Sequence, residues 1–484
     1  PSHDSEPGHV QSAMMPCDAE TINETPVLGD DQPVESMTDP TVKGKHISVI
    51  GAARSGVAVA RLLQRKGASV FVSDSGPADR IKSGLAELRS LGIGSETGAH
   101  SAKVLDAELI VISPGVPSNV PIVREAQGRG VRVVSELELA SWFCPAPIVA
   151  VTGTNGKTTT TALIGRILHD GQKRHIVAGN IGTAFSSVLD ELDEDSVAVL
   201  EVSSFQLDHI ETFHPAVSII LNITPDHLDR YEGEFSRYAA SKCRVFENQD
   251  AHDVLIYNAD DAETREQIGR RKPPALRALP FGMQQHGGDG AFIEQGELVT
   301  LLDGIRTAIV PAAAISIRGI HNLYNAMAAT LTGRILGVSA PSVRATLKNF
   351  KGVEHRLEFV REAGGIKYVN DSKATNVDSV RYALQAFEEP LVLLLGGRDK
   401  GNDYTKLYEP VAKHVKAIVA IGESAEKVYD AFHNRKPVVK AASMEEAVKS
   451  ARSLAARGDV VLLSPACASF DWYQSYEERG QDFR

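Results

Sequence analysis

From Lys45 onward the chain alternates short apolar runs with longer stretches whose apolar residues recur every three or four positions. Runs of the first kind suit buried parallel strands, and stretches of the second kind suit amphipathic helices. The segments HISVIG (46–51), SVFVSD (69–74) and LIVISPG (109–115) predict strands, and GVAVARLLQRKG (56–67) predicts a helix closed by Gly67. Strand, helix and strand at this spacing predict parallel βαβ units. CPAP (144–147) interrupts the pattern and predicts a link between domains. A second series follows in PIVAVTG (147–153), HIVAG (175–179), SVAVLEVSS (196–204), VSIILNI (217–223) and DVLIYN (253–258). Residues 273–318 are less regular and predict antiparallel strands or loops. A third series begins near FKGVEHRLE (350–358) with IKYVN (366–370), LVLLLGG (391–397), AIVAIG (417–422), PVVKA (437–441) and DVVLLS (459–464). Its runs alternate with helical stretches such as NVDSVRYALQAF (376–387), which predicts another doubly wound sheet.

The expectation is an α/β chain of three domains, at 44–145, 146–350 and 351–484, behind a tail at 1–43. The tail is rich in Pro, Ser, Asp, Glu and Thr, buries too little to offset its ordering entropy, and is expected to be disordered. The length of 484 residues agrees with about three domains. Lys and Arg number 51 against 62 Asp and Glu, a net charge of −11, which argues against a nucleic-acid partner. No apolar run approaches the ~18 residues of a membrane span, and no leader-like start is expected. Cys17, Cys144, Cys243 and Cys467 lie far apart, which fits a reducing cytoplasm better than a disulfide scaffold or a zinc site.

The strongest chemical signal is VTGTNGKTTTTALIGRILHDG (151–171). A strand delivers Gly153, Thr154, Asn155 and Gly156 form a loop, and Lys157, Thr158 and Thr159 open a helix. Backbone N–H groups at such a helix start cradle phosphate oxygens, Lys157 would neutralise them, and the Thr158 hydroxyl would hold Mg²⁺. Val151 stands where the common phosphate loop has its first Gly. ATP is the expected ligand. Glu201 closes a strand at the sheet end where ligands bind, so it is a candidate for a second hard oxygen ligand, although such a residue is equally often an ordinary strand-end acid. His227 follows another strand in NITPDHLDRY (222–231), beside Asp226.

In the first domain GAARSG (51–56) is a GxGxxG-like turn with Ala53 in place of the middle Gly, and Asp74 ends the next strand. This pattern admits NAD, another nucleotide or no ligand, and Ala53 crowds a close pyrophosphate approach. In the third domain Asp371, Lys373, Thr375 and Asn376 cluster between a strand and a helix in YVNDSKATNVDS (368–379). VEHR (353–356), GGRDKGNDY (396–404) and SPACASFDWY (464–473) are further polar knots that could face the same cleft.

Taken together, GTNGKTTT, LEVSSFQL, TPDHLDRY, GxHNxxN (319–325) and the His355–Arg356 pair resemble the Mur ligases of peptidoglycan synthesis, from about residue 44 to the end of the chain. NDSKATN (370–376) with SPACASFDWY is similar to the D-glutamate-adding branch of that family. The resemblance implies a Rossmann-like UDP-binding domain, a central P-loop ATPase-like domain with a mostly parallel sheet, and a C-terminal Rossmann-like domain. It implies a monomeric cytoplasmic ligase that joins D-glutamate to UDP-N-acetylmuramoyl-L-alanine through an acyl phosphate, using ATP and two Mg²⁺ sites.

Carried onto this chain, the resemblance gives Thr158, Glu201 and His227 to the metals and Lys242 to a CO₂-derived carbamate that supports them. Lys157, His227, Lys242 and Lys373 become the catalytic set. Asn322, Asn325, Arg356 and Asp371 join the phosphate loop around ATP. Arg54, Asp74, Ser75, Gly115 and Asn180 go to the UDP-substrate, and Lys373, Thr375, Lys400, Ser469 and Tyr476 to D-glutamate. Tyr476 stands where the resemblance expects Phe, and against the family pattern the end at Arg484 predicts a final helix missing or shortened. The competing readings are a ligase for another amino acid, an NAD-dependent oxidoreductase resting on GAARSG alone, and a non-catalytic nucleotide-binding module.

Overall fold

Each of the three apolar series builds its own sheet. The computed structural model describes residues 42–484 apart from 118, 119, 181 and 400, so the expected disorder of the tail concerns residues almost wholly outside those described. The first sheet has five parallel strands, with His46–Ile50 at its centre between Ser69–Asp74 and Leu109–Ile112. Gly94–Thr97 and Arg132–Ser135 form its edges. These edge strands have four residues each, and the first of them is polar and half-exposed, so neither stands out in the sequence as an apolar run.

The central sheet has nine strands, and Ile148–Thr152 lies between Val217–Ile220 and Val197–Glu201. The register sets Val151 opposite Glu201 and Glu201 opposite Gly179, which brings the phosphate-loop strand and the acid to the same sheet end. The irregular stretch after residue 273 divides in two. Arg277–Gly282 and Gly290–Glu294 continue the parallel sheet, whereas Glu297–Leu302 and Ile305–Pro311 turn antiparallel at its edge.

The C-terminal sheet has six strands, parallel except for the half-exposed edge strand Glu358–Ala363, which pairs antiparallel with Ile366–Asn370. Leu391–Gly396 and Val460–Leu463 are buried along their whole length, as strands covered on both faces must be. The last helix is Tyr476–Phe483. No helix among the described residues is long and apolar enough to cross a membrane.

The two joints between domains are built differently. Leu62, Leu137 and Ala140 of the first domain belong to one apolar cluster with Phe185, Leu207 and Phe213 of the second. Glu138, fully buried, accepts hydrogen bonds there from the backbone N–H groups of Glu211, Thr212 and Phe213, the Thr212 hydroxyl and the Trp142 indole. The second and third domains meet instead through polar side chains around a cleft.

Candidate active site

Gly153 and Gly156 shape the phosphate loop. Gly156, at φ +87°, precedes the helix Lys157–Asp170, and a Cβ there would lie 2.4 Å from Asn325 Oδ1. Both its backbone angle and the close approach of Asn325 exclude a side chain. Asn222 braces the loop, with its carboxamide oxygen accepting from Asn155 N–H (2.9 Å) and its Nδ2 donating to the Asn155 carbonyl (3.1 Å). The Thr154 hydroxyl is tied to Thr224 and Tyr238.

Lys157 Nζ folds back onto the loop, donating to the carbonyls of Gly153 and Thr154 at 2.9 Å each. Burial holds its pKa below the usual lysine range, opposed by the charges of Glu201 and Asp226. A phosphate arriving at the helix start would offer Lys157 an anionic partner in place of these carbonyls. The Thr158 hydroxyl donates to Glu201 Oε2 at 2.7 Å, and Asn180 Nδ2 donates to Glu201 Oε1 at 3.1 Å. Glu201 is only 3% exposed, so a hydroxyl and a carboxylate converge beside the phosphate loop. These hard oxygens suit Mg²⁺. Asn180, expected at the UDP-substrate, here contacts the carboxylate.

Lys242, on the helix Phe235–Cys243, is buried beneath the loop and donates to the Gly153 carbonyl at 2.9 Å. Burial, reinforced by the neighbouring Lys157 charge, pushes its pKa well below the ordinary lysine value. The solvated helix lysine that an isolated Lys242 would suggest is therefore not what the fold makes. His227, in left-handed backbone at φ +51°, packs edge-on against Phe205 with ring centroids 5.1 Å apart. Its backbone N–H donates to Asp226 Oδ1 at 2.9 Å, and its Nε2 lies 3.7 Å from Asp226 Oδ2.

Across the cleft, the C-terminal domain presents Asp371 and Lys373. Asp371 accepts from Ser464 Oγ (2.8 Å) and Leu357 N–H (3.2 Å), and Arg356 lies 3.7 Å away. Burial pushes its pKa up to about 6 against the pull of Arg356. Lys373 lies with its ammonium 5.0 Å from the centre of the Tyr476 ring. Burial lowers its pKa to about 8, and its field is shared with Glu201 and Lys157 of the central domain.

A cavity opens between the domains, lined among others by Gly156, Thr159, Asn322, Asn325, Arg356 and Asp371. Every expected ATP residue outside the metal pair either lines it or belongs to the adjoining loop. His321 and Tyr382 also line it, with rings 5.6 Å apart, and neither was assigned from the sequence.

Of the expected D-glutamate residues, Ser469 is buried and Thr375 borders a second cavity on the same seam, beside His227 and Asn376. Lys400 lies outside the described residues. Nothing along the chain marks Arg479, which reads as an ordinary helix arginine. It is nevertheless buried, and it donates to Ser372 Oγ and to the carbonyls of Ser372, Cys467 and Ala468, tying the NDSKATN and SPACAS segments together.

The first-domain residues stand apart from this cluster. Asp74 accepts from the N–H groups of Ala52 and Gly76 at 2.7 Å each, which fixes the GAARSG turn. Ser75 and Gly115 lie near this turn, Ser75 being exposed. Arg54 Nη1 donates across the joint to the Gly182 carbonyl at 3.2 Å, which brings it to the loop that carries Asn180.

Residues 45–135 match the model of the Mur ligase MurD-like N-terminal domain, 151–333 the Mur ligase middle domain, and 355–467 the Mur ligase glutamate ligase domain. The chain is 46% identical over 462 residues to the UDP-N-acetylmuramoylalanine–D-glutamate ligase of Chloroherpeton thalassium, covering 93% of this chain and 99% of that protein. It is 47% identical over 457 residues to the enzyme of the same name from Salinibacter ruber, covering 93% and 98%. Its fold is similar to the UDP-N-acetylmuramate–alanine ligase MurC of Thermotoga maritima, with TM-score 0.57, 21% identity, and 91% and 98% of the two chains covered. The phosphate loop with its facing carboxylate, the three sheets and these matches have one reading: the chain belongs to the Mur ligase family.

Proposed function

We propose that this chain is the ATP-dependent ligase that joins D-glutamate to UDP-N-acetylmuramoyl-L-alanine in peptidoglycan precursor synthesis. The observation that carries the chemistry is the convergence of Lys157, Thr158 and Glu201 from one domain with Lys373 from another at a single cleft. The names of the relatives supply the substrates. The domain at 44–145 takes the UDP-substrate and that at 146–350 takes ATP. The domain at 351–484 takes the amino acid and part of ATP.

A carboxylate is a poor electrophile. Transfer of the γ-phosphoryl group to the alanyl carboxylate gives an acyl phosphate and ADP. The D-glutamate amine then attacks the carbonyl carbon, the amide forms, and phosphate leaves. Such transfer asks for positioning and charge neutralisation more than for covalent help. The helix start at 157 and Lys157 would hold phosphate, Thr158 and Glu201 would hold one Mg²⁺, and His227 would serve a second. The metal supplies charge neutralisation when bound. Lys373, and Lys400 by the family pattern, meet the D-glutamate carboxylates.

Lys242 is the residue suited to carbamylation. The reaction needs the neutral amine, and burial beside Lys157 favours that form. Lys242→Ala should lose most activity, with partial recovery on adding short carboxylic acids; full activity without them would remove Lys242 from the scheme. The decisive test of the reaction is phosphate release with UDP-N-acetylmuramoyl-L-alanine, ATP and Mg²⁺. D-Glutamate should drive it, and L-glutamate, L-alanine and diaminopimelate should not. A preference for another amino acid would overturn the substrate assignment and leave the ligase chemistry standing.

A further inference from the structure

Three hydrogen bonds cross the seam between the central and C-terminal domains at a point that no part of the scheme above uses. Ser379 Oγ donates to Asn155 Oδ1 at 2.7 Å. Asn376 Nδ2 donates to Asp226 Oδ2 at 3.1 Å and to Asn155 Oδ1 at 3.4 Å. Asn155 belongs to the phosphate loop, and Asp226 is the acid whose other oxygen accepts from His227 N–H. Asn376 and Ser379 belong to the same segment as Lys373 and Thr375, and Ser379 is 6% exposed. The bonds also stand between two cavities. Asn155 and Ser379 line the one that holds the expected ATP residues. Asp226 and Asn376 line the one that holds His227 and Thr375.

We infer that Asn376 and Ser379 are positioning residues that latch the C-terminal domain onto the phosphate loop and so keep water from the acyl phosphate while the amine is delivered. The inference rests on the ligase reading. An acyl phosphate has two fates. The amine attacks the carbonyl carbon to give the amide and phosphate, or water attacks the same carbon to give back the carboxylate and phosphate. The second fate sums to hydrolysis of ATP to ADP and phosphate with no product. Lys373 travels with the latch, so the contact that seals the seam is also the one that brings the amino-acid side into register. Asn376 has a second task. Its Oδ1 caps the helix Val377–Leu384 by accepting from Ser379 N–H at 2.8 Å, so deleting the side chain would blur latch with helix stability.

Asn376→Asp separates the two tasks. The carboxylate still caps the helix, as Asp does well, but it faces Asp226 with like charge and loses the donor. The coupling is read as phosphate released per amide formed, with all substrates present. The ratio should rise about threefold or more in Asn376→Asp, mainly through product yield and D-glutamate KM, with thermal unfolding unchanged. Small-angle scattering with a non-hydrolysable ATP mimic and Mg²⁺ should show the variant more extended than the unaltered chain. The reciprocal pair Asn376→Asp with Asp226→Asn restores one donor and one acceptor across the seam and should recover both compaction and coupling.

An unchanged ratio and unchanged scattering in Asn376→Asp would overturn the inference, as would a double variant that recovers neither. If Asn376→Asp lowered the unfolding temperature, Asn376→Ser, which keeps a capping oxygen but is too short to span the seam, should still raise the ratio; a normal ratio there would also overturn it. Failure of the unaltered chain to use D-glutamate would count against the ligase reading instead, because the scattering arm needs only the nucleotide.

Discussion

The joint between the first and second domains and the joint between the second and third use opposite materials. The first joint shares one apolar cluster across Leu62, Leu137, Phe185 and Phe213, and it buries Glu138 among donors supplied by the neighbouring domain. At the second, among the described residues, the apolar clusters of the C-terminal sheet remain separate from those of the central one. The side-chain hydrogen bonds across it join amides, a hydroxyl and a carboxylate, beside the His321–Tyr382 ring pair. Apolar burial and satisfied buried charge fix two bodies together, whereas polar contacts on a cleft exchange readily with water and ligand. Under the proposed assignment, the first joint would hold the UDP side against the phosphate loop, and the second would let the amino-acid side arrive and leave. That division suits a ligase whose second step must follow the first without admitting water.

The largest effect that would sharpen this contrast is on chemistry. Lys157→Ala should lower turnover by about 10²-fold or more, while the affinity of the first domain for a uridine nucleotide, measured by calorimetry, stays nearly unchanged. Equal loss of both would break the division of labour.

Next in size is an effect on folding. Glu138→Ala leaves several buried donors unpaired at the first joint and should cost about 3 kcal/mol or more in denaturant unfolding. Breaking the exposed Arg65–Asp190 ion pair at the same joint should cost at most about 1 kcal/mol. A mild Glu138→Ala would mean that the apolar cluster alone holds the joint.

The smallest effect concerns pH at the mobile side. Lys373 has its pKa lowered to about 8 by burial, so it loses its ammonium, and with it the attraction for carboxylates, as pH rises past that value. The KM for D-glutamate should therefore climb above pH 8, approaching about tenfold per unit. Lys373→Arg keeps its charge at any such pH and should flatten that limb. A D-glutamate KM unaffected between pH 7 and 9 in the unaltered chain would detach Lys373 from the amino acid.

Much of this was legible along the chain, for a physical reason. Parallel strands buried on both faces must be continuously apolar, so Ile148–Thr152, Leu391–Gly396 and Val460–Leu463 announce themselves. A phosphate loop is local, and Gly153 through Thr159 carry their chemistry in consecutive residues. The short or half-exposed edge strands Gly94–Thr97 and Glu358–Ala363 lack that signature, and they escaped it.

Other features exist only once distant segments meet. Lys242 becomes a low-pKa amine because the fold buries it beneath Gly153 and beside Lys157. Arg479 becomes the brace of two loops because two oxygens of distant Ser372 and the carbonyls of Cys467 and Ala468 converge on its guanidinium. Glu138, Asn376 and Ser379 matter through what the neighbouring domain offers them. Composition and local pattern thus determined the three sheets and where phosphate would sit. Burial, field and partners depend on separations in space, and only the tertiary structure decided which lysines have their pKa lowered, which acid joins two domains and which amides latch the cleft.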